Sequence, residues 1–151
     1  MAEAYAIMIT ERRMPMNIFF LLTPKGVCAH LRVDDTVRQA LERMESTGYA
    51  ALPILAKDGT YCGTLTEGDL LRAIKRKNII TVHDMEKIGI MEIAHKKDNI
   101  PVSVDTKVEN LLSMAIEQNF VPVVDDRNTF IGIITRRAII QYCLDLNLAD
   151  K

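Results

Sequence analysis

The chain has 151 residues, 48% of them hydrophobic, and a formal net charge of -1. That length holds one good core or two small ones packed together, and the near-neutral balance argues against a nucleic-acid binder driven by a basic excess. Three scattered cysteines, Cys28, Cys62 and Cys143, give neither a disulfide framework nor a paired metal knuckle.

His30, His83 and His95 lack metal-ligand spacing with each other or with a cysteine. Lys75-Arg76-Lys77 and Lys96-Lys97 read as the solvated end of a helix and a loop. No apolar run reaches membrane-spanning length, and the first residues lack the layout of a secretion signal. A soluble cytoplasmic protein without membrane or nucleic-acid partners is the expectation.

Residues 1 to 15 form an ill-defined lead-in, with Pro15 opening a short helix through Leu22 that Pro24 and Gly26 stop. Val27 to Val33 reads as a strand, and Asp34-Asp35-Thr36 as a helix start. Val37, Ala40, Leu41 and Met44 then place one apolar stripe on a helix that Gly48 terminates. Tyr49 to Leu55 and Tyr61 to Leu65 are β-prone runs joined by Asp58-Gly59, a hairpin signal. Thr66 caps the next helix, with Asp69 three residues on and Leu70, Leu71 and Ile74 as its stripe.

The order then recurs. Val102 to Val104 replaces the first strand, Asp105-Thr106 caps a helix striped by Val108, Leu111, Leu112 and Ala115, and Phe120 to Val124 gives the next strand. Pro53 and Pro122, Gly63 and Gly132, and Thr66 and Thr135 all share a spacing of 69 residues, which marks an internal duplication. The second copy has lost about two residues around its first helix. Residues 16–75 form repeat one, 93–145 repeat two, and 76–92 a linker with a short helix near Asp84 to Ile88. The fold class is α/β (α+β): each β-α-β-β-α unit leaves one sheet face uncovered, and two units packed face to face cover each other. Clefts at such junctions favour ligands.

Phe130 to Ile140 carries a strand, Thr135, and two arginines in the first turn of a helix, where exposed N–H groups would favour an acid. Backbone donors, a hydroxyl and the guanidiniums of Arg136 and Arg137 suit phosphate. The alternative is that both arginines simply face solvent. Thr66 with Asp69 reads both as a capping box and as a ligand tetrad, and Tyr49 equally as a packed ring or an adenine stacker. No catalytic triad, paired carboxylates, glycine-rich phosphate loop or zinc helix is evident, so an enzyme is not expected.

Gly48 to Ile54 with Asp58-Gly59 and Gly63 to Asp69, and Phe120 to Asp125 with Gly132 to Thr135, resemble the CBS-domain family; the pair resembles a Bateman module. The resemblance implies clefts that bind adenosyl ligands such as AMP, ADP, ATP, S-adenosylmethionine or cyclic dinucleotides, with no other cofactor. It implies one cleft of Thr66 and Asp69 with Val102, Ser103, Phe120 and Val121, and another of Thr135, Arg136 and Arg137 with Ala29, Tyr49, Ala50 and Ala51. Ala138 stands where that family places a ribose-binding Asp. Small stand-alone bacterial CBS pairs that sense cyclic di-AMP are similar around Ala29-His30, Thr47 to Tyr49 and Phe130 to Arg137. A homodimer and a regulated partner protein are also implied. A ligand-free pairing domain and a nucleic-acid-associated protein stand as rival readings.

Overall fold

The computed structural model describes residues 17–93 and 98–149. A two-residue β1 (Thr23–Pro24) leads into repeat one: β2 (Leu31–Arg32), α1 (Val37–Thr47), β3 (Ala51–Leu55), β4 (Tyr61–Thr66) and α2 (Glu67–Lys77). After α3 (Val82–Lys87), repeat two follows as β5 (Val102–Ser103), α4 (Val108–Glu117), β6 (Phe120–Val124), β7 (Phe130–Thr135) and α5 (Arg136–Ala149).

Helix ends obey local chemistry. Thr36 and Gln39 form a reciprocal capping box at the start of α1, and Gly48, at φ 72°, ends it in the left-handed region. Thr66 and Asp69 make the same box for α2, and Asn78 ends that helix at φ 53°. The α4 start differs from the sequence expectation. Asp105 and Thr106 are spent in a turn, with Thr106 N–H donating to Ser103 O at 3.0 Å, and the N-cap is Lys107, without a side-chain bond. The helix therefore begins one residue after the expected cap would place it, six residues after the start of its first strand as in repeat one, and the two residues that the second copy lacks fall between the start of this helix and the next strand.

Two other expectations are corrected. The helix drawn through Leu22 is a single 3₁₀ turn, Ile18–Phe20, capped by Asn17; Pro15 and Met16 lie outside the described residues. The strand drawn over 27–33 is only Leu31–Arg32, because Lys25–Val27 winds into another 3₁₀ turn.

In each repeat the first strand pairs parallel with the second, which pairs antiparallel with the third. The sheets differ at one edge. β1 adds antiparallel to β7, giving orders β1-β7-β6-β5 and β2-β3-β4. Ile18 and Leu21 accordingly pack in the core of repeat two, with Val121, Val123, Ile134 and Ile139. Gly132 makes this possible, since a Cβ there would lie 2.3 Å from the Thr23 carbonyl oxygen. Gly63, its equivalent, instead receives Asp98, whose Oδ1 accepts from Thr64 N–H at 2.9 Å. Each chain segment leading into a repeat thus crosses onto the other repeat's sheet.

Leu31, Leu52, Ile54, Leu65 and Leu70 centre the core of repeat one. Each such side chain contributes about 1.5–3 kcal/mol by burial. A third cluster of Cys28, Leu55, Tyr61, Val124 and Phe130 lies between the repeats and holds their hairpins together.

Candidate functional site

Two cavities open where the repeats meet. The first, of about 150 Å³, is walled by Val27, Cys28, Ala29 and Tyr49 to Pro53 from one side and by Asn119, Phe120, Ile133 and Thr135 from the other, with Thr23 at its edge. Its surroundings are mostly apolar. Tyr49 is 58% exposed at this wall while Phe120 is buried, so one ring is available to stack and the other forms the cavity floor. Burial pushes the Cys28 thiol up to about 11, and it stays a neutral hydrophobe.

Thr135 stands at the N-terminus of α5, where its Oγ1 accepts from Ala138 N–H at 3.1 Å. No carboxylate follows in that first turn. The donors of this helix end therefore keep a positive field that no acid cancels.

The second cavity, of about 350 Å³, is lined by Thr66, Asp69, Arg72, Asn99, Glu117, Gln118, Asn119 and Arg136. Here the polar groups are heavily engaged. Asp69 Oδ2 accepts from the Thr66 N–H at 3.0 Å and from its hydroxyl at 2.8 Å, while Oδ1 accepts from an Arg72 guanidinium. Arg136 Nε donates to Gln118 O at 3.1 Å. Buried Gln118 ties the wall to the lead of repeat two by accepting from Ile100 N–H at 2.8 Å and donating to Ile100 O at 3.2 Å.

Ala29, Tyr49, Ala50, Ala51 and Thr135 come together in the first cavity. Arg136 does not join them: it turns into the second cavity beside Thr66 and Asp69, and Arg137 is exposed and lines neither. Phe120 faces the first cavity rather than the second. Val102 and Val121 are buried in the core of repeat two, Ser103 is exposed, and none of the three lines either cavity.

Sequence reasoning passed over Asn119, which lines both cavities. It lies 69 residues after Ala50, so the duplication itself could have found it. Arg72 and Thr23 carry no such signal. One depends on a rotamer across α2 and the other on strand addition between repeats.

Comparison with known proteins agrees with this architecture. The CBS domain signature matches residues 27–76 and 90–145. The cyclic di-AMP receptor B of Bacillus subtilis is 26% identical over 114 residues, 75% of this chain and 76% of that protein. The inosine-5'-monophosphate dehydrogenase of Methanocaldococcus jannaschii is 30% identical over 110 residues, 72% of this chain, yet the match spans only 20% of that protein. Among solved structures, CbpB in complex with c-di-AMP superposes with a TM-score of 0.79 at 21% identity, covering 96% of this chain and 95% of that one. CBSX2 in complex with AMP gives 0.70 at 19% identity, covering 86% and 97%. The structural likenesses establish the fold, and the signature match in both halves establishes that the chain belongs to the CBS-domain family, its two repeats paired as a Bateman module.

Proposed function

We propose that the protein is a non-enzymatic receptor for an adenine nucleotide, with cyclic di-AMP as its ligand, held in the cavity between Tyr49 and Thr135. The observation that carries this reading is that one cavity joins Ala29, Tyr49, Ala50 and Ala51 of repeat one to Thr135 of repeat two. An apolar slot with a stacking ring suits adenine, and an uncancelled helix N-terminus suits a phosphodiester. Ala138 accepts no hydrogen bond from a ribose diol, which disfavours AMP, ADP or ATP here. A 3′,5′-linked cyclic dinucleotide has no free cis-diol and loses nothing by that absence. The relative from Bacillus subtilis that bears the name of cyclic di-AMP receptor supports the same choice.

Ligand in this cavity contacts both repeats at once and so selects one packing of them. The changed surface is then read by a regulated partner protein, with the chain acting as a cytoplasmic homodimer. No helix among the described residues is long and apolar enough to cross a membrane.

The test is a thermal-shift panel of cyclic di-AMP, AMP, ADP, ATP and S-adenosylmethionine, followed by calorimetry. Cyclic di-AMP at one hundred times its Kd stabilises the fold by about 2.7 kcal/mol, a shift of about 5–10 °C for a domain of this size. A ligand-free pairing domain gives no shift with any of the five, and that result would end the proposal.

A further inference from the structure

We infer that Arg72 locks the second cavity against ribose, so that a mononucleotide is refused there and the two related clefts of the chain are not equivalent. The inference rests on the adenine-nucleotide reading above and sharpens its specificity. It starts from the two tetrads that the duplication places in register, Thr66-Glu67-Gly68-Asp69 and Thr135-Arg136-Arg137-Ala138. Only the first carries the carboxylate that could accept a ribose diol.

That carboxylate is already committed. Asp69 is 1% exposed, with Oδ2 closing the capping box on Thr66 and Oδ1 under the Arg72 guanidinium. The Arg72 side chain is 38% exposed and lines the same cavity while paired with Asp69. A diol reaching Oδ1 must displace a charge-assisted bond at a buried anion and replace it with neutral hydroxyl bonds, an unfavourable exchange. Releasing Oδ2 instead would undo the start of α2.

The two helix ends also differ in charge. The first turn of α2 bears Glu67 and Asp69, whereas that of α5 bears no acid, so the two ends treat a phosphate differently. Repeat two has no counterpart of the lock. The residue equivalent to Arg72 is Gln141, which donates to Asp145 Oδ1 at 2.8 Å, away from its own tetrad.

Calorimetry of the full chain with AMP tests this. The wild type binds AMP weakly, and Arg72→Ala binds it about tenfold tighter or more, because a diol no longer has to displace the guanidinium from Oδ1. Arg72→Gln provides a second, bulkier variant that also removes the charge. The gain disappears in the Asp69→Ala, Arg72→Ala double variant, which lacks the acceptor. Wild type that binds AMP as tightly as Arg72→Ala, folded single variants that gain nothing, or a gain that survives in the double variant would each overturn the lock. Failure of cyclic di-AMP to bind wild type, with the AMP gain present, overturns the dinucleotide assignment and leaves the lock standing.

Discussion

Thr60 and Thr129 pair with each other as an isolated antiparallel bridge, and they are the same position of the two copies, 69 residues apart. The axis relating the repeats therefore passes between them. The flanking bonds respect it: Phe130 N–H donates to Gly59 O at 2.9 Å and Tyr61 N–H donates to Asn128 O at 3.3 Å, each being the image of the other. Tyr61 and Phe130 are also equivalents, and their rings stack with centroids 6.4 Å apart. A duplicated hairpin has become the joint between its copies.

Because Phe130 is 1% exposed and sits in the cluster shared by both repeats, truncating it opens a void at that joint. Phe130→Ala should lower stability by about 3–5 kcal/mol. Urea unfolding measures this, and a loss below about 1 kcal/mol would show that the repeats are held together elsewhere.

The joint is also acid-sensitive. Asp58 Oδ1 accepts from Thr60 N–H at 3.0 Å and Asp125 Oδ1 from Thr129 N–H at 2.8 Å. These backbone bonds hold both carboxyls below their ordinary 3.8. A depressed folded value contributes stability that is present above 3.8 and is lost as pH falls through the lower folded value. The Asp58→Ala, Asp125→Ala variant should lose stability less steeply between about pH 4 and pH 2 than wild type; an identical acid limb in urea titrations counts against the turn mechanism.

At the alkaline end Tyr61 contributes alongside Cys28, whose thiol is also raised by burial. Burial raises the Tyr61 phenol above the ordinary 10.0, and the hydroxyl donates to Asn99 O at 2.8 Å. A raised folded value means that the neutral phenol stabilises the fold fully below 10.0 and that this stability drains as pH rises beyond it. Tyr61→Phe should flatten that decline while costing about 1–3 kcal/mol at neutral pH, since buried Thr64 loses its partner. An alkaline limb unchanged by the substitution would assign the decline to another group.

Gly63 and Gly132 occupy matching places but tolerate a side chain differently. At Gly132 the obstacle is the Thr23 backbone, whereas at Gly63 it is the Asp98 side chain. Gly132→Ala should cost about 1–3 kcal/mol by displacing β1, with faster amide exchange at Ile133, and Gly63→Ala should cost less. Equal costs would mean that β1 is not held by its approach to Gly132.

Tyr49→Ala should separate binding from folding. The ring is 58% exposed, so stability should stay within about 0.5 kcal/mol. Loss of a base-stacking partner should weaken cyclic di-AMP about tenfold or more. Unchanged affinity in calorimetry would remove Tyr49 from the site.

Periodicity, capping residues and the repeat at 69 residues were legible in the chain, and they determined the β-α-β-β-α units, the helix ends at Thr36, Gly48 and Thr66, and the existence of clefts between two copies. These are local signals: one stripe, one cap, one turn at a time. Tertiary structure alone decided that Thr23 would join β7, that Arg136 would turn away from Thr135, and that Arg72 would occupy the carboxylate of Asp69. Each depends on where a side chain or strand edge meets groups distant in sequence or one helical turn away, and several rotamers satisfy the same pattern. The chain therefore specifies where the clefts form, and the packing of the repeats sets which side chains line each of them.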